Sequence, residues 1–425
     1  MPLGREGSHW QRTSGAALAG ILQYKAERMY DLLIRGGRVI DPFQNLDGVR
    51  DVAVTGGRIA ALLEPGTPAE AIRTVDATGR LVTPGLIDFH VHVFPGISHF
   101  GVDPDETCLA RGVTTVVDFG TAGGLIFEGF RQFVIDRAQT RVVALLHIAG
   151  QGLISSPGTL PALGELHDLR YCNVENVERV VARHRDVICG IKIRCTDNLA
   201  EGGRNEAEGL RLAREAADRV GLPLVIHSPA SSLPIEHILE NLRAGDVLTH
   251  CYHNKACGLV DADLQLLPVA REALGRGVLL DVGHGWGSFD FHVARSLIQH
   301  GVRPHFISSD LHTYNLTGPV FDLVTTLDKF LHLGLPLPEV IRGATTTPAK
   351  FLGRSEELGT LQPGACADIT VLELQEGEFP LTDANGYREI GRWHLEPRQV
   401  FRAGREVGVM PRREPRETRM SAEKN

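Results

Sequence analysis

A chain of 425 residues with 43% hydrophobic and 23% charged side chains has ample material for a core, which excludes general disorder, and its length suits one large domain with a smaller satellite. No uninterrupted apolar run reaches the roughly 18 to 20 residues that cross a bilayer, and a net charge of -8 offers no positive footprint for nucleic acid. Seven cysteines, an odd number without a CxxC pair, read as reduced thiols of a cytoplasmic protein. The expected partner is a small molecule, and 18 histidines make metal ligation a question to ask of every motif.

In chain order, residues 1–30 read as a leader, either flexible or lying upstream of a natural start at Met29; its short apolar stretch Ala16 to Leu22 lacks a convincing cleavage site. Residues 31–84 carry short strands with glycine turns: Asp31 to Val39 alternates apolar and polar side chains, and VAVTGGRIAAL predicts a hairpin turning at Gly56-Gly57. From residue 85 to 354 the texture changes. Eight apolar runs recur, GLIDFHVHV, GVTTVVDFG, VVALLHIAG, VICGIKIR, PLVIHS, VLTHCY, GVLLDVGHG and HFISSDLH, each followed by a glycine- or histidine-bearing loop and a helical stretch. Strands that are apolar on both faces imply a parallel sheet covered by helices. Eight such units match the usual length of a (β/α)8 TIM barrel, about 250 residues. Residues 355–410 return to strands, with a second hairpin turn at Ala403-Gly404 in RQVFRAGREV. The expected fold is thus an α/β barrel inserted in a small β-sandwich domain formed by both chain ends, with residues 411–425 as a charged, solvated tail.

Active sites of such barrels lie at the C-terminal ends of the strands. Strand 1 ends in His90-Val91-His92, which places both imidazoles on one face. Strand 4 supplies Lys192, strand 5 His227, strand 6 His250 and strand 8 Asp310. Each histidine alone reads most simply as core or surface; six metal-type residues, each at the mouth end of a predicted strand, point to a metal site. An ammonium cannot ligate a metal, but burial beside cations lowers the pKa of Lys192, and the neutral amine can then add carbon dioxide. The carbamate has two anionic oxygens, which suits two metals roughly 3.5 to 4 Å apart. The alternative is a lysine that pairs with Asp310 and caps the barrel.

The set PGLIDFHVH, GIKIR, VIHS, LTHCYHN and SSDLH, flanked by DLLIRGGRVIDP and GTLQPGACADITVLEL, resembles the amidohydrolase superfamily over roughly residues 30 to 405, and in it the dihydroorotase-like amidohydrolase/deacetylase subgroup. The resemblance implies two divalent metal ions, commonly zinc with manganese as the alternative, and carbon dioxide or bicarbonate to carboxylate the lysine. By the same resemblance His90, His92 and Asp310 would hold the buried metal, and His227 and His250 the exposed one. Carboxylated Lys192 and a hydroxide would bridge the two, and Asp310 would serve as the catalytic base and then acid. Asp88, two residues before His90, would orient an imidazole or pack beneath the site.

Dihydroorotases of the HxHxR type grip the substrate carboxylate with an arginine two residues after the second histidine. Phe94 occupies that position here, and a phenyl ring cannot replace a guanidinium fork. The expected activity is therefore removal of an acyl group, such as acetyl, from a small acylated hydroxy- or amino-carboxylate; the alternatives are a cyclic amide or lactone hydrolase of dihydroorotase or hydantoinase type, and a catalytically silent scaffold. Candidate substrate contacts are Arg194 (or an ion pair at the rim in its place), His284, His312 and, more weakly, His147, with Phe94, Trp286, Phe289 and Phe291 as apolar walls or simple covers of the mouth. Barrels of this size often pair through helices or the small β domain, so a homo-oligomer is expected.

Overall fold

In the computed structural model the residues described are 29–154 and 164–413. The leader before Met29 and the tail from residue 414 lie outside them. Strands from both chain ends join in one sheet of eight. Strands β1 (Met29–Asp41), β2 (Leu46–Thr55), β3 (Arg58–Leu63), β4 (Glu70–Asp76) and β5 (Leu81–Pro84) come from the start of the chain, and β13 (Ile369–Thr382), β14 (Arg388–Arg402) and β15 (Arg405–Val407) from its end. The order is β15-β14-β13-β5-β1-β2-β3, with β4 on β1. Both predicted hairpins form: Thr55 pairs with Arg58 and Arg402 with Arg405. In each, the two turn residues have positive φ, at Gly56-Gly57 and at Ala403-Gly404, as a tight two-residue hairpin turn demands. The tips meet across the sheet, since the amide of Ala367 donates to the carbonyl of Gly57 and that of Gly404 to Ala367.

Seven of the eight apolar runs form a curled parallel sheet in sequence order: β6 (Leu86–Val91), β7 (Val113–Gly123), β8 (Arg141–His147), β9 (Ile188–Arg194), β10 (Leu224–His227), β11 (Val247–Thr249) and β12 (Leu279–Asp281). Their near-continuous burial follows from apolar side chains on both faces. The eighth run lies between β12 and β6 with one parallel bridge to each, Asp281 to Phe306 and Val91 to Leu311. Main-chain bonds tie it to both neighbours, the amides of Val282 and His284 donating to the carbonyls of Phe306 and Ser308 and that of His92 to Leu311, and side chains add to them. The hydroxyl of Ser308 donates to Asp281, and both the amide and hydroxyl of Ser309 donate to Asp88. Inside the barrel Phe89 stacks on Phe306 at 3.8 Å and meets Phe119 edge-on at 5.4 Å, a floor on which the mouth residues stand. Among the described residues no helix is long and apolar enough to cross a membrane.

Candidate metal centre

The barrel mouth gathers all six ligand-type side chains. His90 Nε2 and His92 Nε2 lie 3.3 and 3.2 Å from Asp310 Oδ1, and one ligand atom from each of the three falls within 4.8 Å of the others. The His250 ring is 4.9 Å from that of His90 and 4.4 Å from that of His227. Lys192 is buried, its amine 4.5 Å over the ring of Phe119, on which His90 stacks at 3.6 Å. His227 is half-buried and the other five are buried.

Each of three imidazoles is held through Nδ1. His90 Nδ1 is 3.0 Å from Asp281 Oδ2 and 3.1 Å from Thr249 Oγ1, His92 Nδ1 is 2.8 Å from Thr121 Oγ1, and His250 Nδ1 is 2.6 Å from the carbonyl of Gly283. A carboxylate or carbonyl acceptor puts the proton of His90 and of His250 on Nδ1 and leaves a lone pair on Nε2. Asp281 is itself fixed by hydroxyls of Thr249 at 2.6 Å and Ser308 at 2.5 Å. Asp281 and Thr121 therefore belong to the site although their sequence context did not mark them; they are legible only once β12 and β7 are placed beside the ligands.

Burial first, and then neighbouring cationic groups, holds the imidazoles of His90, His227 and His250 well below their ordinary range and His92 at about 3, despite the opposing charge of Asp118 on His92, so all four are neutral at neutral pH, as ligation would require. Burial likewise lowers Lys192 to about 7 and raises Asp310 to about 6. Asp310 Oδ1 is buried and accepts no hydrogen bond among the described residues. With the His90 proton on Nδ1, a lone pair faces that oxygen across 3.3 Å, a repulsion that a cation between them removes. The donor set, neutral imidazoles with a carboxylate, suits zinc or manganese.

The backbone is bent to make this arrangement. His250 and Asp310 have φ of 62° and 50°, left-handed values uncommon for residues with a side chain. Gly283 leaves the room they use, because a Cβ there would stand 2.8 Å from Nδ1 of both His90 and His250.

Several expected contacts fall elsewhere. Asp88 orients no imidazole: the β6–β7 register slips between Asp88 and Val91, and the carboxylate ties the His90 amide to the eighth run. Arg194 takes the ion-pair reading, Nη1 lying 3.1 Å from Glu165. His284 offers no free ring nitrogen, since Nδ1 meets the Gly285 carbonyl at 2.9 Å and Nε2 the Lys329 amine at 2.6 Å. Phe94 packs on Phe130, and Phe289 and Phe291 on each other, all three buried in the core rather than lining the mouth. His147 is buried opposite Lys192, and its Nδ1 accepts from the Ala149 amide. His312 does lie at the mouth, 6.4 Å ring to ring from His92, its Nδ1 accepting from the Tyr314 amide. Trp286, 64% exposed, stands at the rim beside Tyr314. The aromatic wall is Phe100, which sequence periodicity did not single out; its ring is 5.6 Å from His92 and 5.0 Å from His312.

A TIM-type barrel whose strand ends converge neutral imidazoles and a carboxylate defines a hydrolytic enzyme of the metal-dependent kind. The chain belongs to the amidohydrolase family, whose profile matches residues 81–407. It is similar to a protein named deacetylase from Brucella anthropi, 32% identical over 358 residues that cover 84% of this chain and 87% of that one. Two solved structures, named adenine deaminase and dihydroorotase, each superpose with a TM-score of 0.81, at 32% and 30% identity, covering 89% and 91% of this chain and 99% of each of theirs. Members of this family generally use divalent metals.

Proposed function

We propose that the protein removes an acyl group, such as acetyl, from a small acylated hydroxy- or amino-carboxylate, with His90, His92, Asp310, His227, His250 and carboxylated Lys192 holding two divalent cations, zinc or manganese. The observation that carries this reading is the unpartnered Asp310 Oδ1 facing imidazole lone pairs. Bound cations would acidify a water and polarise the carbonyl under attack. Asp310 takes the proton of the attacking water and returns it to the leaving oxygen or nitrogen, for which a carboxyl raised to about 6 is well matched near neutral pH. Asp281, Thr121 and the Gly283 carbonyl keep the imidazoles aimed, while Phe100 and His312 border the bound acyl group. The likeness to a deacetylase supports acyl removal, and the burial of Phe94 in the core, where HxHxR dihydroorotases carry their arginine, argues against opening dihydroorotate.

Metal-supplemented protein given bicarbonate is expected to hydrolyse members of a panel of acetylated hydroxy and amino acids, and Asp310→Asn to lower kcat by at least about 100-fold, the lower end of what general acid–base catalysis contributes. A wild type that ignores the panel and opens a cyclic amide overturns the proposal.

A further inference from the structure

We propose that Lys255 is the anion anchor of this site, its ammonium pairing with the carboxylate of the substrate. The inference rests on the reading above, in which the substrate is a small acylated acid, and adds the residue that selects for the acid. Such a substrate needs a cation at the mouth, and Arg194 is already engaged by Glu165. Lys255 lies in the loop that follows β11 and His250, exposed at the mouth. Among the described residues its ammonium has no hydrogen-bond or ion-pair partner.

Two features aim that ammonium. The loops after β11 and β12 are zipped together by a parallel bridge between Tyr252 and Phe289 and by the amide of Asp290, which donates to the Tyr252 carbonyl at 2.8 Å. The amine then lies against Gly287, so close that a Cβ there would stand 2.9 Å from Nζ. Two residues earlier on the same loop, Gly285 lies against the Asp310 carboxylate in the same manner. Gly285 and Gly287 are at most about 7 Å apart along the chain, so the amine and the carboxylate stand against neighbouring points of one loop, as the two ends of a small acylated acid require.

The test uses the metal-loaded full chain, acetylated hydroxy or amino acids and their neutral primary amides. Lys255→Met is expected to raise KM for the acids roughly 10- to 100-fold, the worth of a charge-assisted contact, with kcat within about threefold and the KM for the amides within about twofold. Lys255→Arg should recover most of the loss, and Gly287→Ala, which displaces the amine without touching the charge, should raise KM for the acids alone. Independently of turnover, the unacylated acid should protect the wild type from thermal unfolding and Lys255→Met much less. An equal KM penalty on acids and amides, or none, overturns the anchor. Failure of the functional reading looks different: a wild type that deacylates nothing, yet binds the acid through Lys255, loses the deacylase assignment and keeps the anchor.

Discussion

Asp281 decides which nitrogen of His90 is available. Its Oδ2 stands 3.0 Å from Nδ1, so the proton rests there and Nε2 points toward Asp310. Asp281→Asn should weaken metal affinity roughly 10-fold in chelator competition, within the range that outer partners of ligating histidines command; unchanged affinity would show that the ring is oriented by packing on Phe119 alone. Lys192 tests the same site from the other side. Its ordinary pKa of 10.5 falls to about 7 on burial, so the neutral amine that adds carbon dioxide predominates above pH 7 and is lost below it. Metal content after dialysis with bicarbonate should accordingly fall between pH 8 and 6, and Lys192→Ala should lose metal that short carboxylates partly restore. Equal metal in that variant at every pH would contradict the carbamate.

Legibility divides by element. The six candidate ligands could be located because the C-terminal end of a barrel strand is a place that sequence can find, and the structure does bring them together at the mouth. Their supports could not, because periodicity gives the face of a strand but not its neighbour across the barrel. Asp281 meets His90 across the eighth run, one carboxylate oxygen on the ring and the other on the Ser308 hydroxyl. His284 follows its strand as expected, yet Lys329, 45 residues on, claims its ring. Phe94, Phe289 and Phe291 looked like mouth aromatics because loop position does not reveal which way the loop folds; all three turn into the core while Phe100 takes the wall. The helix Leu323–His332 that carries Lys329 also binds the terminal sheet. Its Asp328 meets His394 of β14 at 2.7 Å. Burial alone would lower the His394 pKa, but hydrogen bonds to Asp328 and Glu396 prevail and raise it to about 9, against 6.5 ordinarily. The folded form thus favours the proton, and the stabilisation is present at pH 6.5 and lost as pH rises through about 9. His394→Ala should cost about 3 kcal/mol in denaturant unfolding near neutral pH, because it strands a buried carboxylate, and the difference should shrink toward pH 10. A penalty independent of pH would assign the effect to packing.

At the scale of the whole molecule, the terminal sheet and the barrel are bound by polar contacts as well as by apolar burial. Arg141 of β8 reaches Asp368 at 2.5 Å, and Lys329 donates to the Thr382 carbonyl of β13 at 2.7 Å. These contacts pin the outside of the barrel, whereas the mouth concentrates its cost in one place: left-handed His250 and Asp310, a buried lysine, and a carboxylate oxygen facing a lone pair. A fold tolerates such a cluster when something binds there. Anomalous diffraction from crystals of the zinc-reconstituted protein, recorded across the zinc edge, addresses this most directly. Two adjacent peaks are expected at the barrel mouth, one within ligand distance of His90, His92 and Asp310 and the other of His227 and His250, with density for a modified Lys192 between them. A mouth without anomalous signal, or peaks held by other residues, would contradict the metal centre.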